Sequence, residues 1–197
     1  MIFELLRLSI DITDEDFNEI YPEHIRALAR KHWTPVAVAK TASEFLVARR
    51  GTRVLDIGSG AGKFCMIGAA NTKGHFTGIE QRPELVELSK KLSASYGLPN
   101  TDFIHANVTS IRFRDYDAFY LYNPFQENID VRHRIDETVR LSTELYDAYS
   151  IHTINQLSTL PSGARLATYW TPSAVVPANF KLVDTLYKGN LNLWEKW

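Results

Sequence analysis

Cysteine is nearly absent, with one residue, Cys65, in a chain of 197. No disulfide can form within the chain, and no Cys-rich zinc site can be assembled. The six histidines contain no His-x-x-x-His pair, so no metal site is expected. An excess of one charge is missing too. Lys and Arg number 22 against 23 Asp and Glu, a formal net charge of −1. That balance argues against a strongly basic nucleic-acid binder but leaves room for a local basic patch. No stretch approaches the roughly 18 uncharged apolar residues that a membrane span requires. The opening residues Met1-Ile2-Phe3-Glu4-Leu5-Leu6-Arg7 carry an early acid and no long apolar run, so no signal peptide is expected. Internal repeats and low-complexity runs are also lacking. These absences lead to the expectation of a soluble, cytoplasmic protein with no membrane and no metal.

What is present is ordinary globular material: 45% hydrophobic, 23% charged and 12% aromatic residues. The length suits one domain with a sizeable core. Residues 13–31 read as helical, with Thr13 and Asp16 placed as a capping box and Pro22 starting a second segment. Another helix is expected over 36–49, stopped by Gly51 as its C′ residue. The texture then changes to short apolar strands alternating with helices. The strands are Arg53–Ile57, His75–Glu80, Thr101–His105, 117–122, 165–170, 181–187 and 191–197. Helices are expected after Gly62, from Pro83, and over about 131–158. Gly189-Asn190 suits a tight hairpin turn between the last two strands.

This alternation predicts a three-layer α/β/α sandwich around a seven-stranded, mostly parallel sheet, with one antiparallel strand near the C-terminus. Ligands of such sheets bind beyond the carboxyl ends of the strands, at the topological switch point. Residues 1–32 are expected to form a helical cap on a core of residues 33–197, within a single domain.

The strongest local signal is Val54-Leu55-Asp56-Ile57-Gly58-Ser59-Gly60-Ala61-Gly62. Glycines permit a sharp strand-to-helix turn and let a ligand approach the backbone. Amides at the helix N-terminus would face that ligand. Glu80 closes the next strand, eighteen residues after Gly62. Its carboxylate can accept from both hydroxyls of a ribose. Strand, loop, helix, strand and acid in that order point to nucleoside binding. The dinucleotide fingerprint Gly-x-Gly-x-x-Gly is not met, because Lys63 stands at its last position.

The Gly-x-Gly-x-Gly segment, with Asp56 two positions before it, resembles motif I of the class I S-adenosylmethionine-dependent methyltransferases. The resemblance covers about residues 33–197 in layout. It implies a seven-stranded sheet whose last strand is antiparallel, and S-adenosylmethionine as cofactor. It also implies that Asp56, Gly58, Ser59 and Gly60 surround the amino-acid part of the cofactor. Glu80 would hold the ribose, with Gln81 beside the adenine. Asn107 stands in the loop after the third strand, which in the family touches adenine but here lacks the family's acid. Thr34, before the helix that leads into the first strand, is similar to a family Thr-Pro near the methionine end. It serves equally as a helix N-cap, with Pro35 at N1.

The fourth strand runs out into Asn123-Pro124-Phe125. This turn resembles the Asn-Pro-Pro-Tyr/Phe motif of amino-group methyltransferases, with one proline in place of two. The resemblance implies that Asn123 and a neighbouring carbonyl orient an attacking amino group while Phe125 stacks on a flat acceptor. A plain β-turn uses Asn and Pro in the same places. The acceptor stays open among protein, RNA and small molecule. Sequence-specific DNA binding is disfavoured, since the sequence has no basic tail and no zinc knuckle. Cys65 is expected as a buried small hydrophobe, Tyr120 and Tyr122 as packing residues on one strand face, and Arg132 to Asp136 as a solvated helix face. Two rivals stand beside methyl transfer. One is a non-catalytic module that binds S-adenosylmethionine. The other is an NAD-type oxidoreductase.

Overall fold

The computed structural model describes residues 2–197. Met1, the first residue of the stretch read above for a signal peptide, lies outside them. Seven strands form one sheet: β1 (Arg53–Ile57), β2 (His75–Glu80), β3 (Thr101–His105), β4 (Ala118–Tyr122), β5 (Arg165–Tyr169), β6 (Phe180–Leu186) and β7 (Leu191–Lys196). Their order is β3-β2-β1-β4-β5-β7-β6. The pairs among β1 to β5 are parallel, and β7 runs antiparallel to both neighbours, β5 and β6. The single antiparallel strand is therefore interior, one place in from the edge. Strand order reverses between β1 and β4, which puts the switch-point crevice at their carboxyl ends.

Alternation along the strands sorts side chains between the two faces. Val54, Phe76 and Tyr120 pack with α5 (Val36–Leu46), α6 (Lys63–Asn71) and α7 (Pro83–Ser95) in one apolar cluster. Leu55, Ile57, Phe119 and Leu121 face the other way, onto Tyr149 and Leu157 of α8 (Thr143–Ser158). Tyr120 stacks on Phe64 at 3.8 Å and 8°, as core packing requires. Cys65 is fully buried.

Before the sheet come four short helices: α1 (Ile2–Arg7), α2 (Asp14–Asn18), α3 (Glu23–Arg26) and α4 (Ala29–His32). Phe3, Leu6, Phe17, Tyr21 and Ile25 enter the same cluster as Val54 and Phe76. Thr13 and Asp16 form the reciprocal capping box expected of them. Lys63, at the start of α6, is buried, with its ammonium on Asp14 and, at 3.1 Å, on Asn18. The Val36 amide donates to the same Asp14 oxygen at 3.0 Å. One carboxylate thus joins α2, α5 and α6.

Four expectations are corrected. The helix after Pro22 divides into α3 and α4. The helix from residue 36 ends at Leu46, and Gly51, at φ +79°, belongs to the following turn. There the Thr52 hydroxyl donates to the Arg49 carbonyl at 2.7 Å and the Gly51 amide to Lys73 at 2.9 Å. The helix expected from about 131 begins at Thr143. Side chains compete with the helical ladder before that point. Asp136 accepts from the Thr138 amide, Glu127 accepts from the Ile135 amide, and Ser142 caps α8 through the Leu145 amide. Finally, the β6–β7 connection is a four-residue loop, since Leu186 pairs with Leu191. Tyr187, Lys188 and Gly189 all take positive φ there. Among the described residues no helix is long and apolar enough to cross a membrane.

Candidate functional site

A cavity of about 540 Å³ opens at the carboxyl ends of β1, β2, β4 and β5. That falls within the size class of small-molecule sites, roughly 300–1,000 Å³. Seven of the expected site residues line it: Gly58, Gly60, Glu80, Gln81, Asn123, Pro124 and Phe125. Four do not, namely Thr34, Asp56, Ser59 and Asn107.

The glycine loop is shaped by protein contacts on both sides. A Cβ on Gly58 would stand 2.9 Å from the Pro124 Cβ, and one on Gly60 would stand 2.3 Å from the Trp33 ring. Both glycines also hold positive φ. Their amides, expected to face a ligand, are engaged within the protein. Gly58 and Ser59 donate to the Ile79 carbonyl at 3.0 and 2.9 Å, and Gly60 donates to Glu80 Oε2 at 3.1 Å. Trp33 in turn donates its Nε1 hydrogen to the Ile25 carbonyl at 3.2 Å. The segment before β1 therefore forms one wall of the cavity.

Glu80 is buried, and its Oε1 accepts from the amides of Gln81 and Arg82 at 2.8 and 3.0 Å. A carboxylate offers about four acceptor positions, so three of them are filled internally and one remains. Burial raises the Glu80 pKa, with the three amides and Arg82 opposing that rise. Arg82 is the hub of an ion-pair network reaching Glu127 at 2.7 Å, Asp136 at 3.0 Å and Glu80 at 3.7 Å. Burial works against its charge, but these acids outweigh that effect and raise its pKa. The network ties the end of β2 to the irregular segment after β4.

Asp56 lies behind the loop. Burial pushes its carboxyl up to about 7, opposed by the Cys65 thiol, which donates to it at 3.4 Å, and helped by the nearby Glu80. Thr34 shares a 3.0 Å hydrogen bond with the Tyr120 hydroxyl, deep in the core. Ser59 packs under Gly78. Asn107 donates to Gln81 Oε1 at 3.2 Å and to the Tyr149 hydroxyl at 2.7 Å, and its own oxygen caps the turn at Thr109. It supports Gln81 from behind.

At the end of β4, Asn123 adopts a left-handed backbone, φ +41°. Its amide donates to Thr171 Oγ1 at 2.8 Å, and its side-chain Nδ2 donates to Gln126 Oε1 at 3.2 Å. Among the described residues nothing donates to Asn123 Oδ1. Phe125 leans on Tyr149, centroids 5.5 Å apart. The sequence reading missed Arg82, Tyr122, Trp170 and the Arg30-Lys31-His32 run, all of which line the cavity. Trp170 directly follows the fifth strand, and the rule that singled out Asn123 applied equally there. Burial lowers the His32 pKa below its ordinary value, against the pull of Glu127. No group of side chains among the described residues has the makings of a metal site.

Residues 48–147 match a family of methyltransferase domains. Over 71 residues the chain is 38% identical to the 23S rRNA (uracil(1939)-C(5))-methyltransferase RlmD of Klebsiella pneumoniae subsp. pneumoniae. That stretch is 36% of this chain and 16% of the relative's length. Among solved structures, TrmN from Thermus thermophilus superposes with a TM-score of 0.62 at 18% identity, covering 88% of this chain and 52% of that one. An RNA methyltransferase from Salinibacter ruber, in complex with S-adenosyl-L-homocysteine, gives 0.58 at 16% identity, covering 83% and 91%. At these identities the shared property is the fold.

Proposed function

This chain belongs to the family of methyltransferase domains, and on that premise we propose that it is an S-adenosylmethionine-dependent enzyme that methylates an amino nitrogen of RNA held at the Asn123-Pro124-Phe125 turn. The observation that carries the proposal is the Asn123 side chain. Its Nδ2 is engaged by Gln126, which leaves Oδ1 of this cavity-lining residue as an acceptor with no internal donor. An exocyclic amino group donates to such an oxygen, and the hydrogen bond aims its lone pair and stabilises the positive charge that grows on nitrogen.

When bound, S-adenosylmethionine supplies a sulfonium-activated methyl group, whose bond electrons stay on sulfur after transfer. The chain's residues divide the remaining work. Glu80 has one acceptor position left for a ribose hydroxyl, and Gln81, steadied by Asn107, offers its amide to the adenine. Thr34, Asp56 and Ser59 shape the methionine end from behind the loop without lining the cavity. The acceptor left on Glu80 and the free side-chain amide of Gln81 fit a nucleoside.

Nitrogen is favoured over a ring carbon by the state of Cys65. Methylating a carbon through a covalent thiol adduct needs an accessible thiolate. Cys65 is the sequence's one thiol, it is fully buried, and burial raises its pKa far above the ordinary value. An amino nitrogen brings its own lone pair and needs no such adduct. RNA as the acceptor class draws support from the names of the relatives above.

The test is to incubate the protein with S-adenosylmethionine labelled in the methyl group and unmodified RNA transcripts, then digest to nucleosides. Label in N-methylated bases is expected. Asn123→Ala should lower turnover by about 100-fold, the scale of one lost transition-state hydrogen bond, with cofactor affinity unchanged. Label confined to ring carbons or ribose, or none in RNA, overturns the proposal.

A further inference from the structure

Trp170 has no role in the core. It is 57% exposed at the cavity rim. Its backbone sits at φ +49°, a region that costs a bulky L-residue energy and is retained where surroundings or function demand it. The Trp170 amide donates to the Asn190 carbonyl at 3.0 Å, which fixes the backbone while the indole stays free. Behind it runs a row of rings. Trp170 meets Tyr169 edge-on at 6.4 Å, and Tyr169 meets Tyr122 at 4.9 Å.

Tyr122 leads to the charge on the same rim. Its hydroxyl donates to the Lys31 carbonyl at 3.2 Å. Arg30 and Lys31 are exposed, line the same cavity and have no ion-pair partner among the described residues. In the sheet, β5 lies three places from β2. At about 4.8 Å per strand, Trp170 is roughly 14 Å along the sheet from Glu80 and next to Asn123. The flat ring therefore stands on the acceptor side, about three strands from Glu80, and the free cations share the cavity rim with it.

A planar apolar face beside two unpaired cations complements a flat ring carried on an anionic backbone. We infer that Trp170 is a stacking platform for an unpaired base of single-stranded RNA, whose neighbouring phosphates rest on Arg30 and Lys31. The inference deepens the RNA reading above and rests on it for the class of acceptor.

The test measures binding, apart from turnover, with S-adenosylhomocysteine present. A fluorescent single-stranded oligoribonucleotide is titrated by anisotropy at several salt concentrations. Trp170→Asn suits the left-handed backbone, so the variant should fold with stability equal to or above the parent. Its RNA affinity should fall about 5- to 100-fold, as base–aromatic stacking is sequence-tolerant and strong. Trp170→Phe should retain most of the affinity, and S-adenosylhomocysteine binding should not change in either variant. Arg30→Gln with Lys31→Gln should flatten the slope of log affinity against log salt by about 1.4, near 0.7 per lost phosphate contact on a single strand. Parent-like RNA binding by Trp170→Asn overturns the inference, even if RNA is methylated. Trp170-dependent binding without N-methylated bases would leave it standing and defeat the amino-nitrogen reading instead. Binding of lysine-rich or acidic peptides in place of RNA would overturn both.

Discussion

Asp56 keeps its proton far above the usual carboxylate range. Its carboxyl is 3% exposed and titrates at about 7 in the fold, against about 3.9 in an unfolded chain. Between those values the folded protein holds a proton that the unfolded chain has released. Stability from this group is therefore fully present below about pH 4, declines as pH rises to about 7, and is flat above. Glu80, raised in the same direction, adds to the decline. Asp56→Asn removes the larger share. Its urea midpoint should gain on the parent more at about pH 8 than at about pH 5, and parallel profiles would refute the assignment. The sequence made Asp56 visible as the acid before the glycine loop. Alternation along the strand then turned its side chain toward Cys65 on α6, behind the cavity. Trp170 shows the reverse case. An aromatic at a strand end reads as packing until a positive φ and an open rim reveal otherwise.

At the scale of elements, the N-terminal helices are fastened by the buried ammonium of Lys63. Asp14→Ala would leave that charge in the core with Asn18 Oδ1 as its remaining oxygen partner and would free the Val36 amide. The expected loss is about 3 kcal/mol in denaturant unfolding, the scale for stranding one member of a buried pair. Lys63→Met fills a similar volume without the charge and should change stability by less than about 1.5 kcal/mol. Adding Lys63→Met to Asp14→Ala should recover most of the loss. The opposite ranking would mean that the pair contributes little to holding the helices. The parallel strands were legible to the residue at β1, β2 and β3, because short apolar runs bounded by glycine, proline and acid leave one choice. The segment 131–142 was not legible. Its apolar spacing mimics a helix, and what prevents one is a set of long-range partners, Arg82 with Glu127 and Asp136, that no local pattern contains. Lys63 was opaque for the same reason, since a lysine at a helix start reads as surface.

For the whole molecule, we propose that residues 2–32 and the sheet fold as one unit, because Phe3, Leu6, Phe17 and Tyr21 share a core with Val54 and Phe76. Far-UV circular dichroism and tryptophan fluorescence should then report coincident unfolding curves. Two separated transitions, the first involving Trp33, would show the helices to be an independent cap. The interior position of β7 has a consequence for biosynthesis. A ribosome delivers β5, which ends at Tyr169, well before β7 begins at Leu191, whereas β6 ends at Leu186 and comes out almost together with β7. Until residues 191–196 emerge, β5 presents a bare row of backbone amides and carbonyls, and β6 has nothing beside it. During that interval β5 is the edge of the sheet, with the hazards of stray strand pairing that attend any unprotected edge. That edge is closed when β7 and β6 dock onto β5 together as a hairpin, β7 inward.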